Sequence, residues 1–179
     1  MAFTLASFHE RHGMEGGERN RDSELVQESL DATGAVVMGR GMFSGREGPW
    51  EDYPNADGWW GDDPPFRVPV VVLIHRARET VTKQGGTTFT FVTGGVEAAL
   101  RQAREAAGDK DVAVGGGASA IQQCLEAGLL DELQIHLVPI LLGSGVRLFD
   151  GGGREDVALE LTRVIDSPEV THLRYRVLK

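Results

Sequence analysis

Three consecutive glycines, Gly115, Gly116 and Gly117, stand between a short apolar run, Val112–Val114, and a helix-forming stretch that begins near Ala118 and Ser119. Glycine lets a backbone approach a ligand closely and take conformations that side chains forbid. The first N–H groups of a helix lack partners within it and point back at the turn, which favours an anion, above all a phosphate. A bare strand-to-helix turn does not need three glycines in a row, so Gly115–Ser119 reads as a ligand cradle. The two commonest phosphate loops do not explain it, because Gly-x-Gly-x-x-Gly is absent here and Gly-Lys-Ser/Thr occurs nowhere in the chain.

Cationic residues follow two other apolar runs. Gly34–Met38 is succeeded by Gly39, Arg40, Gly41 and Met42, and Val70–Ile74 by His75, Arg76 and Arg78. Open α/β sheets collect ligands beyond the carboxyl ends of their strands. There a guanidinium grips a phosphate with two hydrogen bonds. The competing readings are a surface arginine paired with a carboxylate and a solvated turn. Other candidates are weaker. His9 and His12 lie three apart with no further metal ligands nearby, so no metal site is assigned. Cys124 lies in helical sequence and reads as a packing residue. Asp22, Glu24 and Asp57 are carboxylates without a spacing that singles out a proton donor, so the catalytic residue is unknown at this level.

The elements that must position these groups follow from periodicity. A helix is expected over Asp22–Ala32, capped by Asn20 or Asp22, with Leu25, Val26, Ser29 and Leu30 on its buried side. The runs Gly34–Met38 and Val70–Ile74 are apolar throughout, as strands buried on both faces of a parallel sheet are. Thr87–Val92 alternates and ends at Thr93, Gly94 and Gly95; Val96–Ala107 is a helix closed by Gly108. After the helix carrying Gln122 and Gln123, Gly128 is the stop, and Glu132–Val138 is a strand ending at Pro139. Leu141–Phe149 is a glycine-bearing loop. Val157–Ile165 and Thr171–Leu178 are two antiparallel strands joined through Ser167 and Pro168. The order predicts a three-layer α/β/α fold, its mixed sheet mostly parallel with a C-terminal antiparallel hairpin. The long segment Ser44–Arg67 holds Trp50, Trp59 and Trp60, which line a cleft, pin the loop to the core or form a subunit contact.

The 179 residues fit one domain, 1–179, with an irregular N-terminal segment over 1–20. A formal charge of -9 disfavours nucleic acid and anionic membrane as partners. No apolar run approaches the roughly 20 residues that span a bilayer, and no secretory leader is evident. The single cysteine fits a reducing cytoplasm.

With these motifs laid out, the chain resembles the dihydrofolate reductase-like superfamily. Within it, the closer match is the branch containing the reductase domain of bacterial riboflavin biosynthesis. The likeness rests on VVMGRGMF (36–43), PVVVLIHR (69–76), VAVGGGASAIQQCLEAGLLDEL (112–133) and HLVPILLGSGVRLF (136–149), in that order and spacing. The resemblance implies a dimeric, NADPH-dependent reductase. It assigns Gly39, Arg40 and Met42 to a first cofactor contact, His75 and Arg76 to the 2′-phosphate, and Thr93 and Gly94 to the adenine. Gly115, Gly116, Gly117, Ala118 and Ser119 fall to the pyrophosphate, with a cis Gly115–Gly116 peptide. Leu142, Gly143 and Ser144 fall to the nicotinamide or substrate. Met42 stands where the family often carries threonine, which removes a hydroxyl contact.

A second departure concerns the opening of the chain. The family normally starts with a buried strand and a Ser-Leu-Asp-Gly-like loop that bonds the nicotinamide carboxamide, whereas Met1–Phe8 resembles the segment after it. Each buried group left unpaired would cost about 1–3 kcal/mol, so an open edge or a gap in the sheet is expected, or a partner chain covering it. The leading functional expectation is hydride transfer to a C=N or C=O bond of a small pyrimidine- or pterin-like heterocycle, akin to 5-amino-6-(5-phosphoribosylamino)uracil. The His/Cys zinc signature of the riboflavin deaminase is absent, so riboflavin synthesis itself is not required. The alternatives are a non-catalytic NADPH- or nucleotide-binding protein and a homo-oligomeric interaction module with Trp59 and Trp60 at its interface.

Overall fold

The computed structural model describes residues 15–44, 58, 60–149 and 156–179. His9, His12, Trp50, Asp57 and Trp59 lie outside the described residues. The chain divides into two compact units, residues 1–121 and 122–179.

In the first unit, α1 (Arg21–Ala32) starts at Asn20. The Asn20 side chain accepts from the Ser23 backbone N–H at 3.0 Å, and Ser23 Oγ receives the Asn20 N–H at 3.0 Å. This reciprocal capping box satisfies two otherwise orphaned donors, so Asn20, not Asp22, is the cap. The chain passes directly into β1 (Thr33–Gly39), and then into α2 (Arg40–Ser44). Strand β2 (Pro69–Leu73), the short β3 (Val81–Thr82) and β4 (Thr88–Val92) follow, then α3 (Gly95–Ala107), β5 (Asp111–Val114) and α4 (Ala118–Glu126), which continues past the division between the units.

The sheet order is β3-β4-β2-β1-β5. Strands β4, β2, β1 and β5 are mutually parallel, and β3 runs antiparallel on the outer edge. Ala35, Val36, Val37 and Met38 are all buried, as the unbroken apolar run predicted. Alternate residues of a strand face opposite sides: Val36 and Met38 enter a cluster with Phe43, Val70, Val72 and Phe89, and Ala35 and Val37 point the other way. Helix α3 packs on β1 and β2, burying Val96, Ala99, Leu100 and Ala103 at helical spacing. Helix α2 has only five residues, too few to be stable alone. Phe43 holds it, fully buried with its ring edge-on to Phe89 and Phe91 at centroid distances of 4.9 and 5.2 Å. Trp60 sits edge-on to Phe66 at 4.9 Å and near-parallel to Phe89 at 6.3 Å, so it pins its loop to this cluster.

The second unit holds a separate antiparallel sheet, β6-β8-β7, with β6 at Glu132–Leu137, β7 at Leu159–Asp166 and β8 at Thr171–Val177. The expected closing hairpin is β7 and β8, with a register shift between Leu161 and Arg163. His136 faces His172 across β6 and β8, their Nδ1 atoms 2.6 Å apart, so one Nδ1 donates and the other accepts. Among the described residues the strands thus form two sheets, with β5 at an edge of one and β6 at an edge of the other. No described helix is long and apolar enough to cross a membrane.

Gly34 is the tightest backbone approach in β1. A Cβ there would lie 2.6 Å from the Ala107 carbonyl oxygen and 2.9 Å from the Ala107 Cα. Backbone cannot yield as a side-chain tip does, so Gly34→Ala is expected to cost about 2 kcal/mol and to lower Tm by about 4–8 °C. Thermal melts followed by circular dichroism check this; an unchanged Tm would mean that α3 shifts freely.

Candidate functional site

Four segments of the first unit lie at the carboxyl ends of its parallel strands: the end of β1 with the start of α2 (39–42), 75–76 after β2, 93–94 after β4, and the glycine turn with the start of α4 (115–119) after β5. From β1 the chain goes to β2 and β4 on one side, then returns to β5 on the other. The neighbours β1 and β5 therefore flank the point where the strand order reverses, which is where open α/β sheets form a binding crevice.

Their pairing runs on into the glycine turn. Gly115 N–H donates to Val37 C=O at 2.8 Å, and Gly39 N–H donates to Gly116 C=O at 3.0 Å. The predicted cradle and the Gly39–Met42 segment are thus brought together by backbone bonds. Each glycine has its own reason. A Cβ on Gly115 would meet Val36 Cγ1 at 2.9 Å. Gly116 has φ +113, a region closed to most residues, and its missing side chain would lie 3.7 Å from Met42 Sδ. Among the described residues, a Cβ on Gly117 would meet nothing within 4 Å. The expected cis peptide is corrected: every described peptide bond is trans, including Gly115–Gly116, and the positive φ of Gly116 makes the sharp turn.

Helix α4 starts from this turn, Ala120 and Ile121 N–H donating to Gly117 C=O at 3.0 and 3.3 Å. The helix itself supplies no acceptor for the N–H groups of Ala118 and Ser119. Arg40 opens α2 directly beyond β1, with Nε and one terminal nitrogen withdrawn from solvent. Met42 is half-buried against the aromatic cluster and beside Gly116, so it contributes apolar packing where a hydroxyl was expected to be lost. No helix was expected over Arg40–Ser44, because five residues carry no periodicity.

His75 and Arg76 are exposed beyond β2, where Ile74 N–H donates to Val92 C=O at 3.0 Å and keeps the ends of β2 and β4 aligned. Arg78 differs. Its guanidinium lies over the Phe91 ring at 5.0 Å, so it belongs to the face of the aromatic cluster. Thr93 and Gly94 are exposed, and Gly94 is the N-cap of α3. Leu142, Gly143 and Ser144 belong to the second unit, in the exposed segment after β6, where Gly143 has φ +74. Asp22 is buried in the first turn of α1, Glu24 pairs with Arg21 at 2.9 Å, and Cys124 is buried. Among the described residues no group of three or more metal-ligating side chains occurs.

Comparison with known proteins places these features. No curated protein sequence matches the chain at a significant level. Among solved structures, a protein assigned to riboflavin biosynthesis from Shewanella sp. PV-4 is similar, with TM-score 0.65 and 23% identity over 94% of this chain and 90% of its own. A pyrimidine reductase-like protein from Corynebacterium diphtheriae has TM-score 0.55 and 15% identity, over 90% and 83%. The diaminohydroxyphosphoribosylaminopyrimidine deaminase/5-amino-6-(5-phosphoribosylamino)uracil reductase from Thermotoga maritima has TM-score 0.60 and 17% identity over 93% of this chain, which spans 52% of that protein. The sequence model of the RibD C-terminal domain matches residues 6–173, nearly the whole chain. The chain therefore belongs to the RibD C-terminal domain family, the reductase-domain family of riboflavin biosynthesis to which its glycine turn and strand-end motifs point.

Proposed function

We propose that the protein is an NADPH-dependent oxidoreductase that reduces a small pyrimidine- or pterin-like heterocycle, of the kind represented by 5-amino-6-(5-phosphoribosylamino)uracil. The observation that carries this reading is the reversal of strand order at β1 and β5, where backbone bonds join the glycine turn that leads into α4 to the end of β1, directly before Arg40. The fit to a dinucleotide is chemical as well as topological. Among the described residues nothing lies within 4 Å of a Cβ built on Gly117, and the start of α4 at Ala118 and Ser119 suits a pyrophosphate. Gly39, Arg40 and Met42 supply the neighbouring wall. Exposed His75 and Arg76 suit the 2′-phosphate, and Thr93 and Gly94 the adenine. Bound NADPH supplies the hydride. The protein's own contribution is to orient the dinucleotide, to hold its charges and to exclude water. Leu142, Gly143 and Ser144 are assigned to the substrate on the family resemblance.

Binding without turnover is the second reading, and the edge position of β5 among the described residues favours it. The two readings separate in one assay: oxidation of NADPH followed at its nicotinamide absorbance with the phosphoribosylaminouracil and with pterins. A homodimer in a cytoplasmic setting completes the proposal. The second sheet supports the dimer, because Leu159, Leu161 and Val164 on the edge strand β7 are 39%, 52% and 51% exposed beside Val177, Tyr175 and Leu173 of β8. Sedimentation is expected to give a dimer; a monomer at micromolar concentration would remove that part.

Two substitutions test the cofactor assignment. Arg76→Ala is expected to weaken NADPH binding about tenfold, the loss of one charge-assisted contact, and to leave NADH binding unchanged. Calorimetric titration of both dinucleotides decides it, and equal weakening of both would move Arg76 away from the 2′-phosphate. Gly117→Val meets no described residue within 4 Å at its Cβ, so Tm should stay within about 2 °C. Binding of both dinucleotides should nevertheless fall by about tenfold or more as the side chain crowds the turn.

A further inference from the structure

Strand β6 hands over to residues 138–149, a segment without regular secondary structure that leaves Leu141 and Leu142 101% and 81% exposed. Near its start, Ile140 N–H donates to Val138 C=O at 2.8 Å. Its far end is held from α4. The side-chain Nε2 of Gln122 donates to two successive backbone carbonyls, Arg147 at 3.1 Å and Leu148 at 3.2 Å. A primary amide carries two protons, so both are committed to the loop. One NH2 group reaches two successive carbonyls only where the chain turns both toward it. The two bonds therefore fix the direction of the backbone as well as its place. Flanking apolar side chains at Leu141, Leu142 and Val146 are exposed and offer little competing anchorage.

We propose that Gln122 is a positioning residue. By holding Arg147 and Leu148 it orders the closing end of the 138–149 loop, and with it the turn at Gly143 and Ser144. The loop-holding half stands on the two hydrogen bonds. The substrate half rests on the reductase reading above, which gives that turn to the heterocycle. Gln122 touches no reacting atom; it acts through the loop.

The test uses two variants of the full chain with nearly equal helix propensity. Gln122→Glu keeps the length and loses both donors, whereas Gln122→Lys keeps donors that reach carbonyl oxygens. The bond between Arg147 and Leu148 is itself a cleavage site for an arginine-specific protease, and cleavage needs that backbone released. Cutting after Arg147, referred to cutting at other arginines, should rise about fivefold to tenfold in Gln122→Glu and stay within about twofold of wild type in Gln122→Lys. With NADPH and 5-amino-6-(5-phosphoribosylamino)uracil, KM for the pyrimidine should rise about fivefold in Gln122→Glu and recover in Gln122→Lys, while NADPH affinity holds within about twofold. Equal cutting in wild type and Gln122→Glu would overturn the proposal. A loosened loop with unchanged KM would overturn its substrate half. A wild-type chain that binds neither NADPH nor the pyrimidine would remove the reductase reading instead, and the protease comparison would still decide what Gln122 does.

Discussion

The parallel pairing of β1 with β5, carried two residues beyond the end of β5, is the constraint on which the rest of the site depends. Gly115 N–H to Val37 C=O at 2.8 Å and Gly39 N–H to Gly116 C=O at 3.0 Å lock two loops that are far apart in sequence into one rim. The lock is made by backbone, so no side-chain rotamer has to be ordered to form the rim. It also fixes where α4 starts and where Arg40 leaves β1. A side chain at Gly115 would push Val36 out of the aromatic cluster and spoil the core and the rim together.

The core explains why this rim holds its shape. A parallel sheet must be covered on both faces, because its strands are apolar on both. Phe43, Phe89, Phe91, Trp60 and Phe66 cover one face with edge-to-face rings, and the alanine-rich side of α3 approaches β1 and β2. Burying a phenyl ring such as Phe43 is worth about 2–3 kcal/mol. That exceeds what a five-residue helix gains from its own hydrogen bonds, so packing, not helix propensity, decides that Arg40–Ser44 is helical. Arg40 therefore owes its position at the head of α2 to a phenylalanine three residues later.

The regular parts of this architecture were legible because their physics is local. Continuous apolar runs at 34–38 and 70–74 read as doubly buried strands, and glycines at 108 and 128 take positive φ at the helix ends where they were read as stops. The strand-to-helix turn at Gly115–Gly117 was legible for the same reason: three glycines before a helix are a backbone statement. What escaped were features set by distant partners. The helix α2 depends on Phe89 and Phe91, and β3 is two residues that exist only because β4 lies beside them. Arg78 looked like one more cation at a strand end, yet the ring of Phe91 under it gives it other work. Gln122 gave no sign in sequence, because its acceptors are main-chain carbonyls 25 and 26 residues away.

The division of labour within the proposed cofactor site follows from charge. The chain carries a formal charge of -9, but at physiological ionic strength fields from exposed charges fade over about 8 Å. A phosphate at the strand ends therefore responds to Arg40, His75, Arg76 and the N-termini of α3 and α4, not to the acidic total. These contributors differ in weight. Two unit charges 4 Å apart in bulk water interact by only about 1 kcal/mol, and burial strengthens the interaction several-fold. Arg76 is exposed and Arg40 is largely withdrawn from water. On the proposed assignment, the glycine turn, the start of α4 and Arg40 would face the part of a dinucleotide common to NADPH and NADH and so set affinity. Arg76, exposed and therefore weaker, would on the same assignment face the group that distinguishes the two and set selectivity.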